Sequence, residues 1–305
     1  MTPNPTTPQD TAKLNRLGLL LMTCGFFCFS LADLFSKVLT EGFHPFQITW
    51  VRLFGLMSAV IVLLLVKGPG ILRSGAPGLQ VFRGVIAIIS SLAFVLALRT
   101  VPLAEAVAVS FVAPFFVTVM AALFLREKVG WRRWLAISIG FIGVLVIIRP
   151  GLGVLSPAIG FVLLAALCFA GRQVVSRSLA KRDSTVTTIA YTAIVATTLL
   201  FIPMVLVWKT PETGREIMYF VLMAGVAALG ELFIIRALEI ANAVVVAPVH
   251  YSLILFSTLW GFLVFADLPD VWTWVGAGIV VLSGLYTLYR ESQTKRPVIP
   301  VTPIS

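Results

Sequence analysis

Ionisable side chains set inside long apolar runs are the residues in this chain with chemistry to do. Asp33 and Lys37 close the first such run and Arg52 stands early in the second. Arg83 opens the third, and Arg172, Glu231 and His250 lie within later ones. A charge at the centre of a membrane helix costs on the order of 2.5–3.5 kcal/mol on insertion scales, so such groups mark binding, gating or pairing. Arg172, Glu231 and His250 supply two basic groups and one acid, a set that suits a zwitterionic or partly anionic solute. A gate or a structural salt bridge is the equal alternative. Asp33 and Arg52 approach from the same side and are expected to pair. The competing readings are an interfacial i,i+4 pair between Asp33 and Lys37, and an Arg52 that snorkels to the headgroups. Arg83 reads as a membrane-edge anchor, and Glu105 as an acid placed to suit a helix dipole. Glu231 lies five residues before Arg236, about 7–8 Å from its helix end at roughly 1.5 Å per residue. That is too deep for a short carboxylate to reach headgroups.

Two prolines and three rings complete the set. Pro114 and Pro248 fall inside the fourth run of each half. A proline frees a carbonyl and bends its helix, and paired interruptions point to the site in inverted-repeat carriers. Phe111, Tyr251 and Trp260 either stack on a ring of the solute or simply pack. His250 and Tyr251 are neighbours, so they point to adjacent helix faces.

The elements that must position these residues are membrane helices. Of 305 residues, 59% are hydrophobic and 12% charged, with a mean hydropathy of +1.02. Soluble domains are about half apolar and about a quarter charged, so lipid is the solvent for most of this chain. A span takes about 20 apolar residues, and backbone groups in lipid must be satisfied within the segment, which selects helices. Ten apolar runs are expected to be helical: 17–36, 46–66, 79–98, 103–125, 131–148, 157–176, 185–207, 216–237, 243–265 and 271–289. The first is read as a retained helix, since Asp33 and Lys37 follow it without a cleavage site. The tail from Glu291, with its three prolines, is expected to be unstructured.

Direction follows from Lys and Arg. With both termini in the cytoplasm, seventeen basic residues fall inside, against Lys37, Arg99, Arg149, Lys209 and Arg215 outside. The positive-inside rule then places both ends in the cytoplasm. It also accounts for the net charge of +10 without nucleic acid. Cys24, Cys28 and Cys168 lack C-x-x-C spacing and read as packing residues. With two histidines, no H-E-x-x-H, no G-x-S-x-G and no phosphate-cradling loop, neither a membrane enzyme nor ATP hydrolysis is expected.

The halves echo one another. Cys28-Phe29 recurs as Cys168-Phe169, Ser36-Lys37 as Ser176-Arg177, and Ala97-Leu98 as Ala237-Leu238, each 140 residues on; Trp131 and Arg149 find Trp272 and Arg290 at 141. Five spans per half is odd, so the second half enters the membrane inverted. The expected fold is an all-α membrane protein of ten transmembrane helices in two inverted five-helix repeats. A cytoplasmic tail (1–16) precedes repeats at 17–149 and 157–290, and a tail (291–305) follows.

Ala97-Leu98…Pro114…Glu127-Lys128…Trp131…Gly140…Gly143, with its weaker echo in the second half, resembles the EamA-type repeat of the drug/metabolite transporter superfamily. The resemblance runs from Leu17 to Tyr289. It is nearest to a bacterial subgroup that includes S-adenosylmethionine uptake carriers, through Asp33…Ser36-Lys37, Arg52, Arg83-Gly84, Ser110-Phe111…Pro114, Phe141-Ile142-Gly143 and Ala247-Pro248…Tyr251. Riboflavin carriers and exporters of opine-type metal chelators are also similar. The chain departs from the S-adenosylmethionine carriers at Gln173, where they have an acid, at His250, where they have a basic residue, and at Glu231. The resemblance implies a secondary carrier of a small polar metabolite in a bacterial inner membrane. An amino-acid-derived zwitterion leads as substrate, ahead of a flavin, a chelator or a drug. The lipid bilayer and the solute are the implied partners, no cofactor is needed, and a homodimer is an open arrangement.

Overall fold

The computed structural model describes residues 8–124, 126, 130–149, 157–180, 182–241 and 243–294. Among these residues the regular structure is helical. The helices are α1 (Pro8–Leu39), α2 (Pro45–Lys67), α3 (Pro77–Leu98), α4 (Leu103–Ser110), α5 (Ala113–Phe124), α6 (Trp131–Ile148), α7 (Pro157–Leu179), α8 (Thr185–Leu206), α9 (Gly214–Ile240), α10 (Ala243–Val246), α11 (Ser252–Phe265) and α12 (Val271–Thr294). The fourth span is α4 and α5 in series. The ninth is α10, a 3-10 turn over Ala247–Tyr251, and α11. Eight helices are long and apolar enough to cross a membrane, and Trp134–Ile148 and Val271–Thr287 add two shorter apolar ones. The fold is thus ten transmembrane helices in two repeats.

Two ends differ from expectation. Helix α1 starts at Pro8, nine residues before the expected 17, with proline at a first-turn position where its missing N–H costs nothing. At the other end α12 continues to Thr294, so residues 291–294 are helical where an unstructured tail was expected. Glu127-Lys128 of the resemblance, together with Lys181, Lys295, Arg296 and the rest of the tail, lies outside the described residues.

Helices of one half pack on those of the other: α1 on α9, α3 on α7, α2 on α8, and α6 on α12. Without water to drive association, such contacts depend on close backbone approach at small residues. A Cβ on Gly143 would stand 2.8 Å from the Gly276 carbonyl oxygen, and one on Gly230 would stand 3.0 Å from that of Gly25. These contacts pin α6 to α12 and α1 to α9, and they fix the depth of the neighbouring Glu231.

On the face away from the termini, α4 buries Leu103, Ala104, Ala106, Val107, Ala108 and Val109, joined by Leu34, Ile147 and Ile148 in one core. Across that face Lys37 Nζ donates to the Val101 carbonyl at 2.8 Å, and the Gln47 amide exchanges two bonds with the backbone of Lys209. Arg149 pairs with Asp270. Toward the termini α5 buries Ala113, Thr118 and Ala121, and α8 buries Thr187, Thr188, Ile189, Ala190 and Thr192.

Candidate functional site

The fourth span cannot run straight through Pro114, which has no N–H to bond back to Ser110. The helix breaks at Phe111–Val112, three residues before the proline. In the ninth span Pro248 has the matching effect, and the chain tightens into the 3-10 turn that carries His250 and Tyr251. The two breaks meet. Phe111 stacks on Tyr251 with centroids 5.1 Å apart and 24° between planes, and lies 5.0 Å from the His250 ring. His250 is sandwiched from the other side by Phe26 of α1 at 4.7 Å and 11°. Gly284 of α12 makes the room, since a Cβ there would overlap the Tyr251 hydroxyl. Trp260 stands apart, against Phe27 and bonded through Nε1 to Ser30 at 3.0 Å.

Two charged groups flank this aromatic junction. Toward the far face, Arg52 Nη1 donates to Asp33 Oδ1 at 2.7 Å, with side-chain exposures of 16% and 7%, and also reaches Ser36 Oγ at 3.3 Å. The expected pair forms, so Asp33 is no i,i+4 partner of Lys37 and Arg52 does not snorkel. Lys37 turns instead to Val101 and to the face of Phe265. Glu105 sits in the first turn of α4, where the charges of Lys37 and Arg149 reach it.

Toward the termini the charges are Arg83, Arg172 and Glu231. Arg83 was expected to anchor at the membrane edge, yet its guanidinium turns into the bundle. Its Nε donates to Ser176 Oγ at 2.7 Å, and its Nη1 donates to Thr192 Oγ1. The cause is Gly84, where a Cβ would stand 2.8 Å from Val195. That close approach of α8 brings Thr192, one turn earlier, under Arg83. Arg83 is thus the residue that the sequence reading missed, and the adjacent glycine was its signal. Arg172 lies over the Phe169 ring at 4.9 Å, and its buried Nε has no hydrogen-bond partner among the described residues. The charges of Arg83, Arg172 and Glu231 influence one another. His250 stays outside this set, held between rings.

Glu231 is deeper than the sequence suggested. Its helix continues to Ile240, so it lies nine residues, or about 13 Å, from the helix end at roughly 1.5 Å per residue. Helix α9 packs on α1 and α2, whereas α7 packs on α3 and α5. Arg172 and Glu231 therefore address each other across the interior and not along a shared helix contact. Of the expected site residues, Asp33 pairs with Arg52, Phe111 joins His250 and Tyr251 beside Pro114, and the charge of Glu231 acts on Arg172 at a distance. Among the described residues no group of three or more His, Cys, Asp or Glu could hold a metal ion.

Two inverted helical repeats, each contributing a broken helix to a mid-depth junction flanked by buried charges, define a membrane transporter for small molecules. The model of the EamA-like transporter family matches residues 16–149 and again 156–289. The chain belongs to that family, whose members are transporters and not enzymes. It is 27% identical over 287 residues to an S-adenosylmethionine uptake transporter of Rickettsia prowazekii, covering 94% of this chain and 97% of that one. A pseudopaline exporter of Pseudomonas aeruginosa is 30% identical over 277 residues, covering 88% and 95%. A riboflavin transporter of Vibrio cholerae is 30% identical over 245 residues, covering 79% and 82%. A crystal structure 16% identical in sequence superposes with a TM-score of 0.61, covering 95% of this chain and all of the other, a likeness of fold.

Proposed function

We propose that the protein is a secondary carrier that moves a small polar organic metabolite, foremost an amino-acid-derived zwitterion such as S-adenosylmethionine, across the bacterial inner membrane by alternating access. The observation that carries this reading is the junction of Phe111, His250 and Tyr251 at the paired helix breaks, with Glu231, Arg83 and Arg172 on one side of it. An adenine ring or similar π-system stacks on such rings, and a zwitterionic end takes one charge from each kind of side chain. The Asp33–Arg52 pair and the packed α4 close the opposite face and act as the outer gate. The basic residues favour a cytoplasmic place for both termini, and the half that holds Arg83, Arg172 and Glu231 then faces inward.

Counterflow in proteoliposomes tests the reading. Internal unlabelled S-adenosylmethionine should accelerate entry of the labelled compound, while riboflavin and simple amino acids should not. Acceleration by riboflavin alone would favour the second reading, an aromatic-metabolite carrier, which the ring cluster also supports. The excess of arginine supports a third, export of an opine-type chelator or a drug. Acceleration by none of these compounds refutes carriage of this substrate class.

A further inference from the structure

The arginines exceed the acid. Arg83, Arg172 and Glu231 come from three helices, and the first two bring two positive charges against one negative. Arg83 is held by two hydroxyls, those of Ser176 and Thr192. A hydroxyl orients a guanidinium but brings no charge to it. Arg172 has no such support. Its Nε is buried without a hydrogen-bond partner among the described residues, and its guanidinium carbon lies over the Phe169 ring, 4.9 Å from the centroid. An aromatic face attracts the cation but is no ordinary acceptor for its N–H groups, so the fork stays available to one. Buried donors are almost always paired, and leaving one unpaired costs as much as its lost hydration. A guanidinium held over a ring with a buried donor unfilled is therefore arranged for an acceptor that the described residues do not supply.

We propose that Arg172, with Arg83 beside it, is a carboxylate-binding subsite that holds the solute's carboxylate while Glu231 faces its cationic group. This rests on the carrier reading and names the part of the substrate that reading leaves open. Planar N–H forks match a carboxylate in two parallel bonds, and one carboxylate brings Arg83, Arg172 and Glu231 to electrical balance. Guanidinium and carboxylate then neutralise each other away from water, and the solute's remaining groups are read by the rings above. A solute lacking the carboxylate leaves the excess charge uncompensated and is rejected.

The experiment is thermal unfolding of the purified full chain with probes that differ in the carboxylate alone: S-adenosylmethionine against its decarboxylated analogue, and L-methionine against its amide, each at millimolar concentration. A ligand that selects the folded state raises its apparent melting temperature. The carboxylate member of at least one pair should raise it by several degrees and its partner should not. Arg172→Gln should abolish that shift, and Arg172→Lys should weaken it. Without any probe, Arg172→Gln should melt at or above the wild-type temperature, because it removes an uncompensated buried cation. The proposal is overturned by equal shifts within both pairs, by no shift from either carboxylate, or by an unliganded Arg172→Gln that melts several degrees lower. None of these readouts needs transport, so a chain that binds carboxylates as described but shows no counterflow refutes the carrier reading and not the subsite.

Discussion

Arg52→Gln should destabilise the fold far more than Asp33→Asn, and combining them should recover much of the loss. The Asp33 side chain is 7% exposed and that of Arg52 16%, and their contact is 2.7 Å. Removing one partner of a buried ion pair costs about 3–5 kcal/mol, because the other charge is left uncompensated. Arg52→Gln strands Asp33, the more deeply buried of the two charges, and about 3 kcal/mol is the working figure. In Asp33→Asn the stranded Arg52 keeps some access to its surroundings and still has the amide oxygen as an acceptor, so the loss is smaller, about 1 kcal/mol. The double variant replaces the pair by two neutral amides that can bond each other. Its cost should be about 1–2 kcal/mol and not the sum, a coupling of about 2–3 kcal/mol. At about 2 °C per kcal/mol for a chain of this size, Arg52→Gln should melt about 6 °C below wild type and the double variant about 2–4 °C below. Differential scanning fluorimetry at one scan rate supplies the four values, and counterflow supplies the functional counterpart, in which the charge swap restores part of what each single change loses. Additive single and double variants would refute the reasoning, as would single variants that transport normally.

Three other changes test the packing, the loops and the direction of the chain. Gly55→Ala should lower the melting temperature by several degrees, because its Cβ would overlap the backbone carbonyl of Ala224 on α9, and overpacking of about 1–3 kcal/mol outweighs the helix propensity gained. Asp183, in the loop between α7 and α8, accepts from Ser74 Oγ, the Gly75 N–H and Gln80 Nε2; the Ser74 bond first, then those of Gln80 and Gly75, hold its carboxyl below the ordinary carboxylate range. Its contribution is therefore complete above about pH 3.9, the unfolded value, and is lost as pH falls through the lower folded one. Asp183→Asn should flatten this acid limb of a melting-temperature profile, and an unchanged limb would exclude a stabilising role for these bonds. A cysteine at Thr213 should label from outside intact cells, and one at Ser305, beyond the described residues, only after permeabilisation; the reverse pattern overturns the orientation.

Much of this was legible in the sequence because lipid leaves the chain so few choices. Apolar runs of about 20 residues between charges can only be helices, and nine of ten expected starts fall within two residues of the observed ones. The exception is α1, whose first turns are polar and carry no apolar signal. Pro114 and Pro248 marked the breaks correctly, because a missing N–H acts locally. Arg83 was misread because its surroundings depend on Gly84 and Val195, which lie on different helices and are far apart in sequence. Arg52 was easier: a charge two turns inside an apolar run had one acid, Asp33, within reach from the same side. Lys37 shows the limit of local spacing. An i,i+4 acid was available to it, yet the Val101 carbonyl, from a loop 64 residues away, won. Depth was the least legible quantity for Glu231, since Arg236 resembles a helix end but is followed by four more helical residues.

That depth makes Glu231 the residue on which concentrative transport should turn. At about 13 Å from the end of α9, it is a carboxylate placed to moderate two arginines, and its charge reaches both. Glu231→Gln preserves shape and hydrogen bonding but turns a cluster of net charge +1 into one of +2. Carboxylate probes should then be held more tightly, because the competing anion is gone, while the cationic end of a zwitterion loses its counter-charge. A carrier that grips one end of its solute and cannot release it equilibrates slowly and concentrates nothing, since only differential affinity between the two states drives the cycle. The expected result is normal membrane insertion, an equal or larger melting shift with a carboxylate probe, and no accumulation of labelled substrate in vesicles under a pH gradient. Glu231→Asp should recover part of the accumulation. A Glu231→Gln variant that inserts normally and still concentrates substrate like wild type would confine Glu231 to a structural role.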